Sequence, residues 1–158
     1  MTEKNASQVG KSLDAQISNK KDSSYHILVV DDDDATRQLT VQLLASSGYE
    51  IEIVKDGAAA WKALLTKDYD LVLTDNNMPN MTGIEMIEML RSSRMAVPVI
   101  MATGNLPVGE FASKPWLTPD ATLQRPYSNK DLLDTVKKVL HTVDSNKTHM
   151  DMLVRMYV

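Results

Sequence analysis

Ile27-Leu28-Val29-Val30-Asp31-Asp32-Asp33-Asp34 joins a short, wholly apolar run to an acidic one, and two later stretches repeat the arrangement. Leu71-Val72-Leu73-Thr74 leads into Asp75, and Val99-Ile100-Met101-Ala102 leads into Thr103. Runs this short and this apolar suit parallel strands covered on both faces. If they are neighbours, their C-terminal ends bring at least three carboxylates and one hydroxyl to one edge of a sheet. Open α/β sheets bind their ligands at that edge. Carboxylates packed so closely repel one another and call for a hard divalent cation, which points to magnesium and phosphate chemistry.

Outward from these runs, short apolar stretches alternate with helical periodicity from Tyr25 onward. Strands are expected at 25–30, 51–54, 70–74, 97–102 and 121–124. The first helix, 35–47, is expected to bury Leu39, Leu43 and Leu44, with Asp34 as its cap and Gly48 as its stop. A second, 58–66, presents Ala58, Trp61, Leu64 and Leu65 inward, and a third covers 84–91. Met78-Pro79-Asn80 through Gly83 reads as a loop, and the proline-rich stretch from Leu106 to Pro119 leaves room for two helical turns near 108–114. Ser128-Asn129-Lys130-Asp131 has the form of a capping box opening a helix that buries Leu132, Leu133, Val136, Val139 and Leu140. Five strands alternating with helices give a doubly wound, five-stranded parallel α/β sheet with helices on both faces.

Composition bounds the rest. The chain has 158 residues, enough for one full core, with 43% hydrophobic and 24% charged residues and a net charge of -4. The acidic balance and the absence of a basic block argue against nucleic-acid binding. There is no cysteine, which excludes disulfides and fits a cytoplasmic location. No stretch approaches the roughly 20 apolar residues of a membrane span, and the N-terminus lacks a signal-peptide core. Residues 1–24 are polar and read as a disordered tail. Residues 143–158 read as a C-terminal tail whose apolar end, Met150 to Tyr157, is a packed or frayed terminus.

Taken singly, each acidic residue has a plainer reading: the Asp31 to Asp34 run as a helix cap and solvated loop, Asp75 as a turn residue, Thr103 as a strand end. Asp33 and Asp34 keep that role. In combination the chain resembles a response-regulator receiver domain, the phosphorylated half of two-component signalling. The motifs that carry the likeness are Val29-Val30-Asp31-Asp32, Asp75 with Met78-Pro79 and Gly83, Thr103, and Arg125-Pro126-Tyr127. Their order and spacing cover residues 25–142. The resemblance implies a flavodoxin-like strand order, 2-1-3-4-5, and assigns roles. Asp75 matches the phosphoacceptor, Asp31 and Asp32 match the acidic pair that holds Mg2+, and Asn77 matches the position whose backbone carbonyl completes the metal's protein ligands. Thr103 matches the switch hydroxyl.

Three features depart from the family pattern. Arg125 stands where a lysine is usual, and a planar guanidinium fork does not substitute freely for a compact ammonium. Thr122 stands where many receivers carry an aromatic ring. The stretch from Leu106 to Pro119, with Phe111 and Trp116, remodels the face that serves output and dimerisation in the family; both rings are expected to pack on the chain's own core.

The resemblance implies a phosphoacceptor that assists its own phosphorylation and dephosphorylation, not an enzyme with a separate substrate. It is either a stand-alone receiver or one derived from a hybrid kinase. Its partners are a histidine kinase or phosphotransfer protein, an output protein the sequence does not identify, and a second copy in a homodimer. The competing reading is a constitutive binding module of the same fold, a pseudo-receiver, which Arg125 and Thr122 favour and the intact acidic set opposes. A flavin carrier is rejected because four aspartates after the first strand repel phosphate. An aspartyl phosphatase is rejected because Asp75-Asn76-Asn77 lacks a second acid.

Overall fold

In the computed structural model, which describes residues 25–157, the apolar runs become neighbouring strands. Elements follow in the order β1 (His26–Val30), α1 (Asp34–Ser46), β2 (Glu50–Val54), α2 (Gly57–Thr66), β3 (Leu71–Thr74), α3 (Gly83–Ser92), β4 (Val99–Thr103), α4 (Val108–Ser113), a 3-10 turn (Pro115–Leu117), β5 (Ala121–Gln124) and α5 (Asn129–Tyr157). The sheet is parallel throughout, in the order β2-β1-β3-β4-β5. This is the doubly wound, flavodoxin-like arrangement expected from the sequence. The expected tail over residues 1–24 lies outside the described residues, among which no helix is long and apolar enough to cross a membrane.

Alternation along each strand splits the core into two layers. Leu28, Val30, Val72, Val99 and Met101 face α2, α3 and the 3-10 turn, where they meet Leu64, Ile87, Leu90 and Leu117. Ile27, Val29, Leu71, Leu73 and Ile100 face α1 and α5, where they meet Leu44, Leu132, Val136 and Leu140. Every residue of β3 and β4 is buried, which is why those strands read as continuous apolar runs.

Helix faces depart from expectation where small or polar residues take the inner positions. In α1 the buried residues are Arg37, Thr40 and Leu44. Leu39 is 68% exposed and lines an open groove beside Arg125 and Pro126. The α1 cap is Asp33, not Asp34: its carboxylate accepts the Thr36 N–H at 2.9 Å. In α2 the inner face belongs to Gly57, Ala60 and Leu64, while Ala58 and Leu65 are exposed. Gly57 is required there, since a Cβ would stand 2.7 Å from the Met81 carbonyl. Gly48 stops α1 as expected, at φ +94°.

Two other expectations change. Phe111 packs partly buried against the core, but Trp116 is 60% exposed, because the 3-10 turn buries Leu117 instead. The Ser128 capping box forms: Ser128 Oγ accepts the Asp131 N–H at 3.0 Å, and Asp131 accepts the Ser128 N–H at 3.3 Å. The helix it opens does not end near Thr142. It continues through the expected tail to Tyr157, and Met150, Met152, Val154, Met156 and Tyr157 are exposed along it.

Candidate functional site

Register decides which side chains meet. Val30 pairs with Thr74 on one side and Val54 on the other, so Asp31 and Asp75 leave their strands side by side. Backbone bonds extend the ladder past both strand ends: the Asp75 N–H donates to Val30 O at 3.1 Å, and the Asp31 N–H donates to Val54 O at 3.2 Å. Asp32, one residue on, is exposed, while Asp31 and Asp75 are buried. Oxygens of all three lie within 4.8 Å of one another.

The loop after β3 holds Asp75 in place. Its Oδ1 accepts the Asn76 N–H at 2.6 Å and the Asn77 N–H at 3.4 Å. Asn76 closes the loop, its Oδ1 accepting the Ile84 N–H at 3.1 Å and its carbonyl accepting the Gly83 N–H at 3.0 Å. A Cβ on Gly83 would meet the Asp75 carbonyl at 2.5 Å, so the loop's sequence signature has a steric cause. The next neighbour, Thr103, is fully buried at the end of β4. Its Oγ1 accepts the Asn105 N–H at 3.5 Å, and its carbonyl accepts the Arg125 N–H at 3.0 Å. That last bond carries Arg125 to the same edge.

Arg125 is the cation of the site. Its Nη2 donates to Asp31 Oδ2 at 2.7 Å, and its Nη1 reaches Asp75 Oδ2 at 3.5 Å. Burial works to lower its pKa. The Asp31 hydrogen bond and charge, with the charge of Asp75, more than offset this and raise it, so the guanidinium stays charged. Its Nε is buried without a hydrogen-bond partner, alone in this among the side chains of the described residues. The fork therefore spans two of the three carboxylates and keeps one donor in reserve.

Sequence reasoning missed Arg37. Buried on the inner face of α1, it donates from Nη1 to the Asp31 carbonyl at 2.8 Å and pairs with Asp34 through Nη2. It fixes the backbone from which the Asp31 carboxylate projects. The Asp34/Arg37 spacing of three residues was the available signal, masked by the leucines that read as the inner face.

The donor set fits magnesium. It offers hard carboxylate oxygens on one open edge, too few to fill six positions alone, as suits an ion that keeps several waters. Asp31, Asp32 and Asp75 are thus the residues able to hold it, and Arg125 supplies the positive charge on the same oxygens when they do not.

A five-stranded parallel sheet with an acidic group at its C-terminal edge, a buried threonine and a bridging cation is the arrangement of a receiver-type signalling domain. The family model described as the response regulator receiver domain matches residues 27–137, and the chain belongs to that family. It is 34% identical to the sensor histidine kinase RcsC of Escherichia coli over 129 residues, 82% of this chain and 13% of that one. It is 30% identical to the transcription factor SKN7 of Candida albicans over 127 residues, 80% of this chain and 22% of that one. With the response regulator MprA of Mycobacterium bovis it shares 29% identity over 132 residues, 84% of this chain and 57% of that one. The chain thus spans less than two thirds of each of these relatives. Among solved structures it is similar to a CheY-like receiver domain protein from Methanospirillum hungatei, with TM-score 0.73 and 30% identity over 78% of this chain and 99% of that one. TrrA from Thermotoga maritima, solved in complex with Mg2+ and BeF, gives TM-score 0.64 and 30% identity over 73% and 98% of the two chains.

Proposed function

We propose that the chain is a phosphorylatable receiver that takes a phosphoryl group onto Asp75 from a histidine kinase or phosphotransfer protein and signals through protein contacts. The observation that carries this reading is the convergence of Asp31, Asp32 and Asp75 within 4.8 Å at the sheet edge. An Asp75 carboxylate oxygen attacks phosphorus. The P–O bond forms as the P–N bond to the donor imidazole breaks, and the departing ring nitrogen takes a proton from solvent, so that neutral imidazole leaves. Asp31, Asp32, Asp75 and the Asn77 carbonyl are the ligands assigned to Mg2+, which when bound neutralises charge on the reacting oxygens.

The other groups take roles that follow from their positions. Arg125 gives up Asp31 to the incoming charge and turns its fork, including the unpartnered Nε, toward phosphoryl oxygens. Thr103, whose hydroxyl has one long bond at 3.5 Å to give up, responds to the new acceptors. The protein is a phosphoacceptor without a separate substrate. Its work is cytoplasmic and involves neither nucleic acid nor membrane.

One observation favours the second reading, a constitutive module. Arg125 already occupies Asp31 at 2.7 Å, as a built-in counter-ion to the acidic group. Amide NMR spectra with Mg2+ and beryllofluoride, a mimic of the aspartyl phosphate, distinguish the two. Shifts spreading from Asp75 through Thr103 to Arg125 are expected. An unchanged spectrum assigns the fold to constitutive binding.

A further inference from the structure

The start of α2 is fastened to the loop that begins at Asp75. Asp56, the N-cap of α2, divides its carboxylate between two elements. Its Oδ1 accepts the Ala59 N–H at 2.8 Å within the helix, and its Oδ2 accepts from Asn80 Nδ2 at 3.1 Å in the loop. The next residue of the helix meets the next residue of the loop: a Cβ on Gly57 would lie 2.7 Å from the Met81 carbonyl and 2.9 Å from the Met81 side chain. The helix is itself seated in the core through Ala60 and Leu64, so the anchor is firm.

Asn80 is a residue that needs holding. It stands at φ +70°, and the Met81 N–H donates to the Pro79 carbonyl at 2.7 Å, which closes a three-residue turn with Asn80 at its apex. Such turns with a central residue at positive φ are rare and strained, and strain of this kind persists only where the surroundings over-determine it. Asparagine tolerates the left-handed region, but glycine adopts it at lower cost. What glycine lacks is the amide that reaches Asp56. Asn77, whose carbonyl is assigned to the ion, lies three residues before Asn80. On its other side Asn76 accepts the Gly83 N–H at 3.0 Å and the Ile84 N–H at 3.1 Å. The Asn77 N–H itself makes only a long bond, 3.4 Å, to Asp75 Oδ1. Met78 is buried in the core, but an apolar contact is non-directional and does not fix where neighbouring carbonyls point. Orientation comes from the hydrogen bonds at Asn76 and Asn80.

We propose that Asp56 and Asn80 are positioning residues for the magnesium and phosphoryl site. Their hydrogen bond ties the span from Asp75 to Asn80 to the rigid start of α2 and so keeps the Asn77 carbonyl beside the Asp75 carboxylate. Neither residue is itself a ligand; both act through the loop. The role in magnesium binding rests on the receiver reading above, whereas the anchoring of the loop does not.

Two variants of the full chain separate the amide from the turn. Asn80→Gly suits φ +70° without strain and removes only the side chain. The double variant Asp56→Asn with Asn80→Asp exchanges the partners: the side chain introduced at 56 still caps α2 through its oxygen, and its amide donates to the carboxylate introduced at 80, a residue type that also tolerates positive φ. Titration calorimetry gives the Mg2+ dissociation constant. Hydrogen exchange of the Gly83 and Ile84 amides in the metal-free protein, followed by NMR, reports the closure of the loop, and the β4 amides report global opening. Asn80→Gly should raise the dissociation constant about threefold, the worth of one modest hydrogen bond. It should speed exchange at Gly83 and Ile84 by a similar factor and leave β4 unchanged, and the double variant should restore both readouts. Equal magnesium affinity in wild type and Asn80→Gly overturns the positioning role. So does a double variant no better than Asn80→Gly, or exchange that quickens equally in the loop and in β4. A wild type that binds no magnesium overturns the receiver reading instead, and the exchange comparison then decides the anchor by itself.

Discussion

Replacing Arg125 with alanine should tighten magnesium binding, the opposite of the effect expected for a residue that merely supports the site. The guanidinium holds Asp31 Oδ2 at 2.7 Å and approaches Asp75 Oδ2 at 3.5 Å, and both aspartates are assigned to the ion. A cation entering the group must first displace that contact. A hydrogen bond between charged partners contributes about 1.5–3 kcal/mol net, and each ~1.4 kcal/mol is a factor of ten in affinity. The Arg125 side chain is 28% exposed, against 6% for Asp31, so water shares part of the guanidinium's charge and the lower end of the range applies. The expected change is about a tenfold fall in the Mg2+ dissociation constant. Without Arg125 the Asp31 carboxylate is left buried with one oxygen unpaired, so the metal-free variant should also melt at a lower temperature and recover more on adding magnesium. Titration calorimetry on wild type, Arg125→Ala and Lys138→Ala measures this, the last variant controlling for loss of a surface charge. Equal affinities, or weaker binding in Arg125→Ala, would refute competition between the guanidinium and the ion.

Three other perturbations test separate parts of the architecture. Gly83→Ala forces a methyl to within 2.5 Å of the Asp75 carbonyl; overpacking of this kind costs about 1–3 kcal/mol, measurable by urea unfolding, and the displaced Asp75 should bind magnesium more weakly. Asp56 caps α2 by accepting the Ala59 N–H at 2.8 Å and also accepts from Asn80 at 3.1 Å. These bonds, the backbone one foremost, hold its carboxyl below the ordinary value of 3.8. A depressed pKa stabilises above the ordinary value and is lost as pH falls through the folded one. Asp56→Ala should therefore cost about 1 kcal/mol at pH 7, with the difference from wild type shrinking below about pH 3.8. Thr103→Val keeps the volume of a fully buried side chain and removes its hydroxyl; phosphoryl uptake should persist while the beryllofluoride shifts no longer reach Arg125, as NMR would report.

Much of this molecule was legible before any coordinates, for a physical reason. Strands buried on both faces must be nearly continuous apolar runs, so β1, β3 and β4 announce themselves, and parallel register then carries Asp31 and Asp75 to the same edge. The faces of α1 and α2 were less legible. Hydropathy puts leucine inward, but an arginine satisfied by the Asp31 carbonyl can take the interior of α1 and leave Leu39 in water. In α2, Gly57 takes the inner face because the Met81 carbonyl approaches too closely for any side chain, and Ala60 shares that face with Leu64. The course of α5 past Thr142 was hidden by the polar residues from Asp144 to His149, which break the hydrophobic pattern without breaking the helix. The role of Arg125 could not be read from its identity, because the direction of its fork depends on how β5 ends beside Thr103.

The most direct measurement is the intact mass of the full chain after incubation with a small-molecule phosphodonor, with and without magnesium, beside Asp75→Asn. The account predicts a magnesium-dependent gain of one phosphoryl group in the wild type and none in the variant. No gain under conditions that phosphorylate an ordinary receiver, or an equal gain in Asp75→Asn, would contradict it.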